Sequence, residues 1–178
     1  MEKKKGLRDK ISILVKEYYL QNHSIQDFIP GKTPVHYAGR IHTELEMQAA
    51  EEALDFWLTE GRFTDRFQSE LTAKVGVKHA ILVNSGSSAN LLALTALTSN
   101  ILHGRKLKPG DKVSTEAAGF PTTVNPIIQN NLVPVFVDVH IPTYNINIDD
   151  FEHAISPKTR AIFLAHTLVL DRDAQFIC

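Results

Sequence analysis

Apolar positions recur at spacings of three and four up to Val75, and beyond it they gather into short runs, so the period changes partway along the chain. Leu7–Tyr19 places Ile11, Leu14, Val15 and Tyr18 or Tyr19 on one stripe, which predicts an amphipathic helix. Gln21–Arg40 interrupts it with two prolines and two glycines and reads as an extended arm. A second helix is expected from Thr43, whose hydroxyl can cap while Glu46 returns the reciprocal bond. Its apolar face is Met47, Ala50, Leu54, Trp57 and Leu58, and it ends before Gly61. Arg62–Val75 predicts a third helix with Phe67, Leu71 and Val75 on one face and Gly76 as its stop.

Four β-like runs follow: His79–Val83, Lys112–Thr115, Val133–Val139 and Arg160–His166. Helices are predicted between them at Ser88–Leu97, Thr122–Gln129 and Asp149–Ile155. Strands alternating with helices of this length imply an α/β fold with a mostly parallel sheet and right-handed crossovers. The expected organisation is N-terminal helices and an arm over residues 1–60, an α/β domain over 61–168, and an atypical tail over 169–178. That tail, Asp171–Cys178, offers no cap, turn signal or covering helix for the sheet, so the architecture reads as interrupted.

Composition narrows the function classes. Hydrophobic content of 43%, charged content of 22% and a net charge of -1 describe an ordinary globular chain with no field to draw a polyanion. No nucleic-acid partner is expected, because the one basic run, Lys3–Lys5, reads as a solvated tail. The N-terminus has no apolar run to act as a signal peptide, and no window approaches the roughly 20 apolar residues of a membrane span. With a single cysteine, Cys178, neither an internal disulfide nor a thiolate metal cluster can form, and a cytoplasmic location is expected.

The chemistry concentrates at His79–Thr98, where a short apolar run meets Asn84, Ser85, Gly86, Ser87 and Ser88 and passes straight into an alanine- and leucine-rich helix. Small residues at such a junction let a ligand approach the backbone, and free first-turn amides point toward an anion. Ser87 and Ser88 add hydroxyls, so the junction reads as a site for one phosphate. An alternative is that Gly86 only tightens the turn while the serines cap. Neither a G-x-x-x-x-G-K-[ST] loop nor a G-x-G-x-x-G fingerprint is present.

Ala117–Pro126 is the second constellation. Pro121 suits a first helical turn, and Phe120 before it falls at a strand's C-terminal end, where its ring could stack on a planar cofactor or belong to the core. Asp138 reads either as a buried carboxylate or as a loop organiser, and His140 and His166 either as ligands or as structural histidines. The eight histidines show no spacing that puts two ligands on one helix face, so no metal site is assigned.

The runs NSGSSANLLALTAL, AAGFPTTVNPIIQNNLVPVFVDVHIPTYNINI and WLTEGRFTDRF resemble the DegT/DnrJ/EryC1/StrS sugar aminotransferase-like family, built on the aspartate aminotransferase fold. Within it, the N-terminal helix and arm, WLTEGRFTDRF and HGRKLKPGDKV resemble the 3-dehydratase branch that acts on CDP-4-keto-6-deoxy-glucose in 3,6-dideoxyhexose and lipopolysaccharide biosynthesis. The resemblance implies a partial large domain of a fold type I pyridoxal-phosphate-dependent transferase. It implies pyridoxamine 5'-phosphate or pyridoxal 5'-phosphate held by Ser87, Ser88 and Ala89, with Phe120 stacked on the pyridine ring.

By the same resemblance Gly61, Arg62 and Phe63 shape the nucleotide-sugar side, although Arg62 could equally be a solvated surface residue. The full-length relatives imply a homodimer and a reductase partner. Their catalytic base, histidine for dehydration or lysine for transamination, and their iron-sulfur cysteines would lie beyond Cys178. The expectation is therefore an N-terminal fragment without catalytic residues of its own and without turnover. Alternatives are an aminotransferase of the same family or a non-catalytic binding module.

Overall fold

The computed structural model describes residues 2–23, 27–36, 39, 41–54, 59–141 and 143–165, and the chain divides into two compact units, Met1–Leu82 and Val83–Cys178. The first unit is helical. Helix α1, Glu2–Asn22, packs against α2, Glu44–Leu54, and α3 spans Arg62–Val75. Tyr19 is the buried anchor of α1, its hydroxyl donating to His42 O at 3.0 Å, while Gln48 Nε2 of α2 donates to Ser12 O at 3.0 Å.

The expected start of α2 is present as a reciprocal cap: Thr43 N–H donates to Glu46 Oε2, and Thr43 Oγ1 accepts from Leu45 N–H. Gly76 stops α3 at φ 76°, a left-handed conformation that costs glycine little, and its amide donates to Thr72 O. The apolar stripes do not become cores. Ile11 and Leu14 of α1 and Phe67, Leu71 and Val75 of α3 are exposed, because the helices of this unit pair too sparsely to cover them. Trp57 and Leu58, assigned by sequence to the face of α2, lie outside the described residues.

The first of the four expected strands does not form. His79–Val83 is irregular, with Ile81 73% exposed. Its backbone is met by a side chain: with the Gln68 carboxamide oriented to satisfy both ends, its nitrogen donates to Ala80 O at 3.3 Å and its oxygen accepts from Leu82 N–H at 3.2 Å. A hydrophobic run becomes a strand only when another strand accepts its ladder.

In the second unit α4, Gly86–Ala96, leads through a 3₁₀ segment at Asn100–Arg105 to β1, Lys112–Glu116. Then come α5, Pro121–Gln129, β2, Val133–Val137, α6, Ile148–Ala154, and β3, Thr159–Ile162. The sheet is parallel in the order β2-β1-β3, with Lys112 to Glu116 paired residue by residue with Val133 to Val137. A bulge between Lys112 and Val113 shifts the pairing with β3. Strand β3 ends at Ile162, so the expected extension to His166 is shorter, and His166 itself lies outside the described residues.

Two buried clusters hold the unit. Leu94, Leu107, Val113, Ile127 and Leu132 bring α4, α5 and β1 together, while Val137, Ile146 and Phe151 join β2 to α6. Pro126 inside α5 has no N–H to offer Thr122 O, four residues back, and Asn90 Nδ2 of α4 donates there instead at 3.3 Å. The helix defect thus becomes an α4–α5 link.

Candidate functional site

Helix α4 begins on the serine-glycine-serine turn. Ser85 is extended at the N-cap, φ -162° and ψ 160°, and its Oγ accepts from Ser88 N–H at 3.2 Å. The Ala89 amide closes the first helical bond, donating to Ser85 O at 3.0 Å, and is thereby engaged within the helix. The amides of Gly86 and Ser87 have no acceptor among the described residues, as the geometry of a first turn requires.

Ser87 and Ser88, with Leu91, form one wall of a cleft of about 190 Å³, and Thr122, Asn125 and Gln129 of α5 form the other. Every side chain lining it is uncharged. The Asn90–Thr122 bond ties the two walls together. Hydroxyls, carboxamides and two unengaged amides at the start of an 11-residue helix form a donor set that fits a phosphate, and no carboxylate lines the cleft to repel it. The residues present therefore fit the phosphate of a pyridoxal-type cofactor.

Phe120 is the residue before α5, held by the bond from Thr123 N–H to its carbonyl at 2.9 Å. The residue is 68% exposed, so it is not part of the core formed by the described residues; it does not line the serine cleft, although Thr122, two residues on, does. Gly61, Arg62 and Phe63 belong to the first unit. Gly61 precedes α3, and its carbonyl accepts from Asp65 N–H. Arg62 Nη2 pairs with Glu52 Oε1 at 2.5 Å, and its guanidinium carbon lies 4.7 Å from the centre of the Phe63 ring.

Asp138 is exposed and organises its loop, its Oδ1 accepting from Val139 N–H and its carbonyl from Asn147 N–H. His140 is also exposed, and its backbone closes a turn with Asn145 and Tyr144. Among the described residues no group of histidine, cysteine and carboxylate side chains could hold a metal, and no helix is long and apolar enough to cross a membrane. The second wall of the cleft, Thr122, Asn125 and Gln129, was missed from sequence. Its signal is Pro126, a proline inside a helical pattern that leaves a carbonyl needing a donor.

The chain is 55% identical over 164 residues to the lipopolysaccharide biosynthesis protein RfbH of Salmonella typhimurium, covering 92% of this chain and 38% of that protein. It is 48% identical over 162 residues to the dTDP-4-dehydro-2,6-dideoxy-D-glucose 3-dehydratase of Saccharopolyspora spinosa, covering 90% of this chain and 35% of that enzyme. The chain thus spans little more than a third of the length of these relatives. Among solved structures it is similar to the E. coli GDP-4-keto-6-deoxy-D-mannose-3-dehydratase with bound hydrated pyridoxal phosphate, at a TM-score of 0.63 and 34% identity over 70% of this chain and 32% of that one. Residues 34–169, including the serine turn, both walls of the cleft and Phe120, match the family model, and the chain belongs to the DegT/DnrJ/EryC1/StrS aminotransferase family.

Proposed function

We propose that this chain supplies the phosphate-binding part of a pyridoxamine- or pyridoxal-phosphate-dependent enzyme of nucleotide-sugar metabolism, in the dehydratase branch of its family. The observation that carries the reading is the uncharged cleft between α4 and α5, with unengaged amides and serine hydroxyls at one helix start. Ser87 and Ser88 would hold the phosphate, with the Gly86 and Ser87 amides directed at its charge. Ala89 supports them by fixing the first turn. Phe120 offers its open ring to the pyridine, and the exposed carboxamides of Asn125 and Gln129 at the rim would donate to the phosphate's outer oxygens. When bound, such a cofactor supplies an electron-withdrawing ring that eases bond breaking beside its amine.

The dehydratase branch, loss of a 3-hydroxyl from a 4-keto-6-deoxy sugar nucleotide, is supported by the 48% identity to a 3-dehydratase. A CDP-linked sugar destined for a lipopolysaccharide is the substrate we assign, in keeping with the 55% identity to a lipopolysaccharide biosynthesis protein. Gly61, Arg62 and Phe63 are proposed for the nucleotide-sugar side, where Arg62 would exchange Glu52 for a ligand phosphate. A homodimer, a reductase partner and a cytoplasmic setting complete the proposal.

The test is a spectroscopic titration of the purified chain with pyridoxal phosphate, repeated with Ser87 and Ser88 both changed to alanine. A saturable absorbance change that weakens at least about tenfold in the double variant is expected, since each hydrogen bond to a charged group contributes about 1.5 to 3 kcal/mol. Binding indifferent to both serines would sink the assignment.

A further inference from the structure

Strand β1 ends in Ser114, Thr115 and Glu116, three consecutive polar side chains that are all buried. Glu116 is the unusual member. It is 3% exposed at the C-terminal end of the central strand, and none of the ion pairs among the described residues includes it. Its Oε1 accepts from Ala165 N–H at 3.0 Å, a bond spanning 49 residues, and its Oε2 is buried with no partner among the described residues. A carboxylate in such a place is costly unless it is hydrogen-bonded or paired, which makes its one hydrogen bond consequential.

Those contacts reach two chain exits. Ala165 follows β3, and Gly119 stands in the loop from β1 to Phe120. A Cβ added to Gly119 would lie 2.7 Å from Glu116 Oε1 and 3.3 Å from its Cδ, so the loop backbone rests directly on the carboxylate. A side chain there would press on Oε1, the very oxygen that accepts from the Ala165 amide, and displace it. The next residue in the chain is Phe120.

We propose that Glu116 is a positioning residue: its buried carboxylate clamps the loop carrying Phe120 against the exit of β3, and so sets where the exposed ring stands. The part of this that concerns the ring's use rests on the cofactor reading above; the clamp itself does not. The required Ala165 acceptor is an oxygen, not a charge, so Glu116→Gln retains it, while Glu116→Ala removes it. Gly119→Ala reaches the same bond from the loop side, by driving the carboxylate off the Ala165 amide without emptying the buried site.

Hydrogen exchange on the 178-residue chain reads the clamp directly. At least a tenfold faster exchange at Ala165 is expected in Glu116→Ala and in Gly119→Ala, with faster exchange across Ala117–Phe120 as well. Val113 should be unchanged in both, and Glu116→Gln should match the unsubstituted chain. Ala165 exchange within twofold of the unsubstituted chain in both the Glu116→Ala and Gly119→Ala variants overturns the proposal, as does equal loss in Glu116→Gln. A pyridoxal phosphate titration of the same proteins separates the two readings. Weakened binding in Glu116→Ala and Gly119→Ala but not in Glu116→Gln supports the positioning of Phe120, and unweakened binding alongside faster exchange overturns that part. Failure of the unsubstituted chain to bind counts against the cofactor reading alone, with the exchange result still deciding the clamp.

Discussion

Lys112–Glu116 and His79–Val83 are both short runs that lead into a turn of small residues and then a helix, yet only the first is a strand. The difference lies in what receives their backbone groups. β1 has a parallel neighbour on each side, and Val113, Ser114 and Thr115 are fully buried. His79–Val83 has the carboxamide of one glutamine, and Ile81 faces solvent. Hydrophobicity nominates a strand; a ladder makes one. A side chain can stand in for a neighbouring strand over two or three residues, but it buries no apolar surface while doing so.

The widest separation between the two cases should come from deleting side-chain volume on each. Ile127 is fully buried against β1 in the cluster of Leu94, Val113 and Leu132, and Ile127→Ala should destabilise the second unit by about 2 to 5 kcal/mol through lost burial and a residual cavity. Ile81→Ala removes the same atoms from an exposed site and should stay within about 0.5 kcal/mol. Urea unfolding followed by circular dichroism, with amide exchange at Val113 as the local probe, measures both. Equal losses would mean that the 79–83 run is packed as a strand in solution.

The next largest effect belongs to the substitute for the ladder. Gln68→Ala removes the partner of both Ala80 O and Leu82 N–H, and should cost about 1 kcal/mol with faster exchange at the Leu82 amide and none at Val113. Gln68→Glu is the sharper probe, because a carboxylate can still accept from Leu82 but, when ionised, cannot donate to Ala80. Leu82 exchange should therefore stay near that of the unsubstituted chain in Gln68→Glu, while the stability lost with the Ala80 bond remains. If Leu82 exchanges at the same rate in all three proteins, the side-chain bridge is not what holds the segment.

The same contrast explains which parts of the molecule were legible in its sequence. Arg62–Val75 was placed to the residue, since a 3.6-residue period and a glycine stop are local signals, and α4 and α5 were found within two residues because Ser85 and Pro121 mark their starts. The three strands that pair were found as well. The His79–Val83 error came from a property no local window carries, the availability of a neighbour. At the proposed site, Ser87 and Ser88 stand out in the sequence because a run of small residues meets a helix start, and Phe120 because a proline follows it, although capping alone accounts for serine at such a junction. Thr122, Asn125 and Gln129 do not, since only the crossing of α4 over α5 gives them a common cleft, and Glu116 does not, since the β-run read from sequence stops at Thr115 and only pairing extends the strand to Glu116.

The smallest expected effect tests side-chain satisfaction where no ladder is in question, at the start of α2. The Thr43 hydroxyl donates to Glu46 Oε2 at 2.7 Å, and that bond, followed by the Thr43 backbone N–H, holds the Glu46 carboxyl below the usual glutamate range. Desolvation opposes the shift and His42 adds only a minor favourable charge. A carboxyl whose folded pKa is depressed contributes stability that is present above its unfolded pKa and lost as pH falls through the folded value. Helix α2 should therefore keep its cap at neutral pH and fray at its first turn on acidification below the ordinary glutamate midpoint. Carboxyl-detected NMR of Glu46 should titrate at lower pH than the same glutamate in a denatured reference, and Thr43→Ala should carry the midpoint back toward that reference. The side chain is solvent-exposed, so the global unfolding midpoint should barely move. A Glu46 midpoint unaffected by Thr43→Ala would show that the reciprocal cap is not what stabilises the anion, and would leave the ladder as the stronger of the two ways this chain satisfies its backbone.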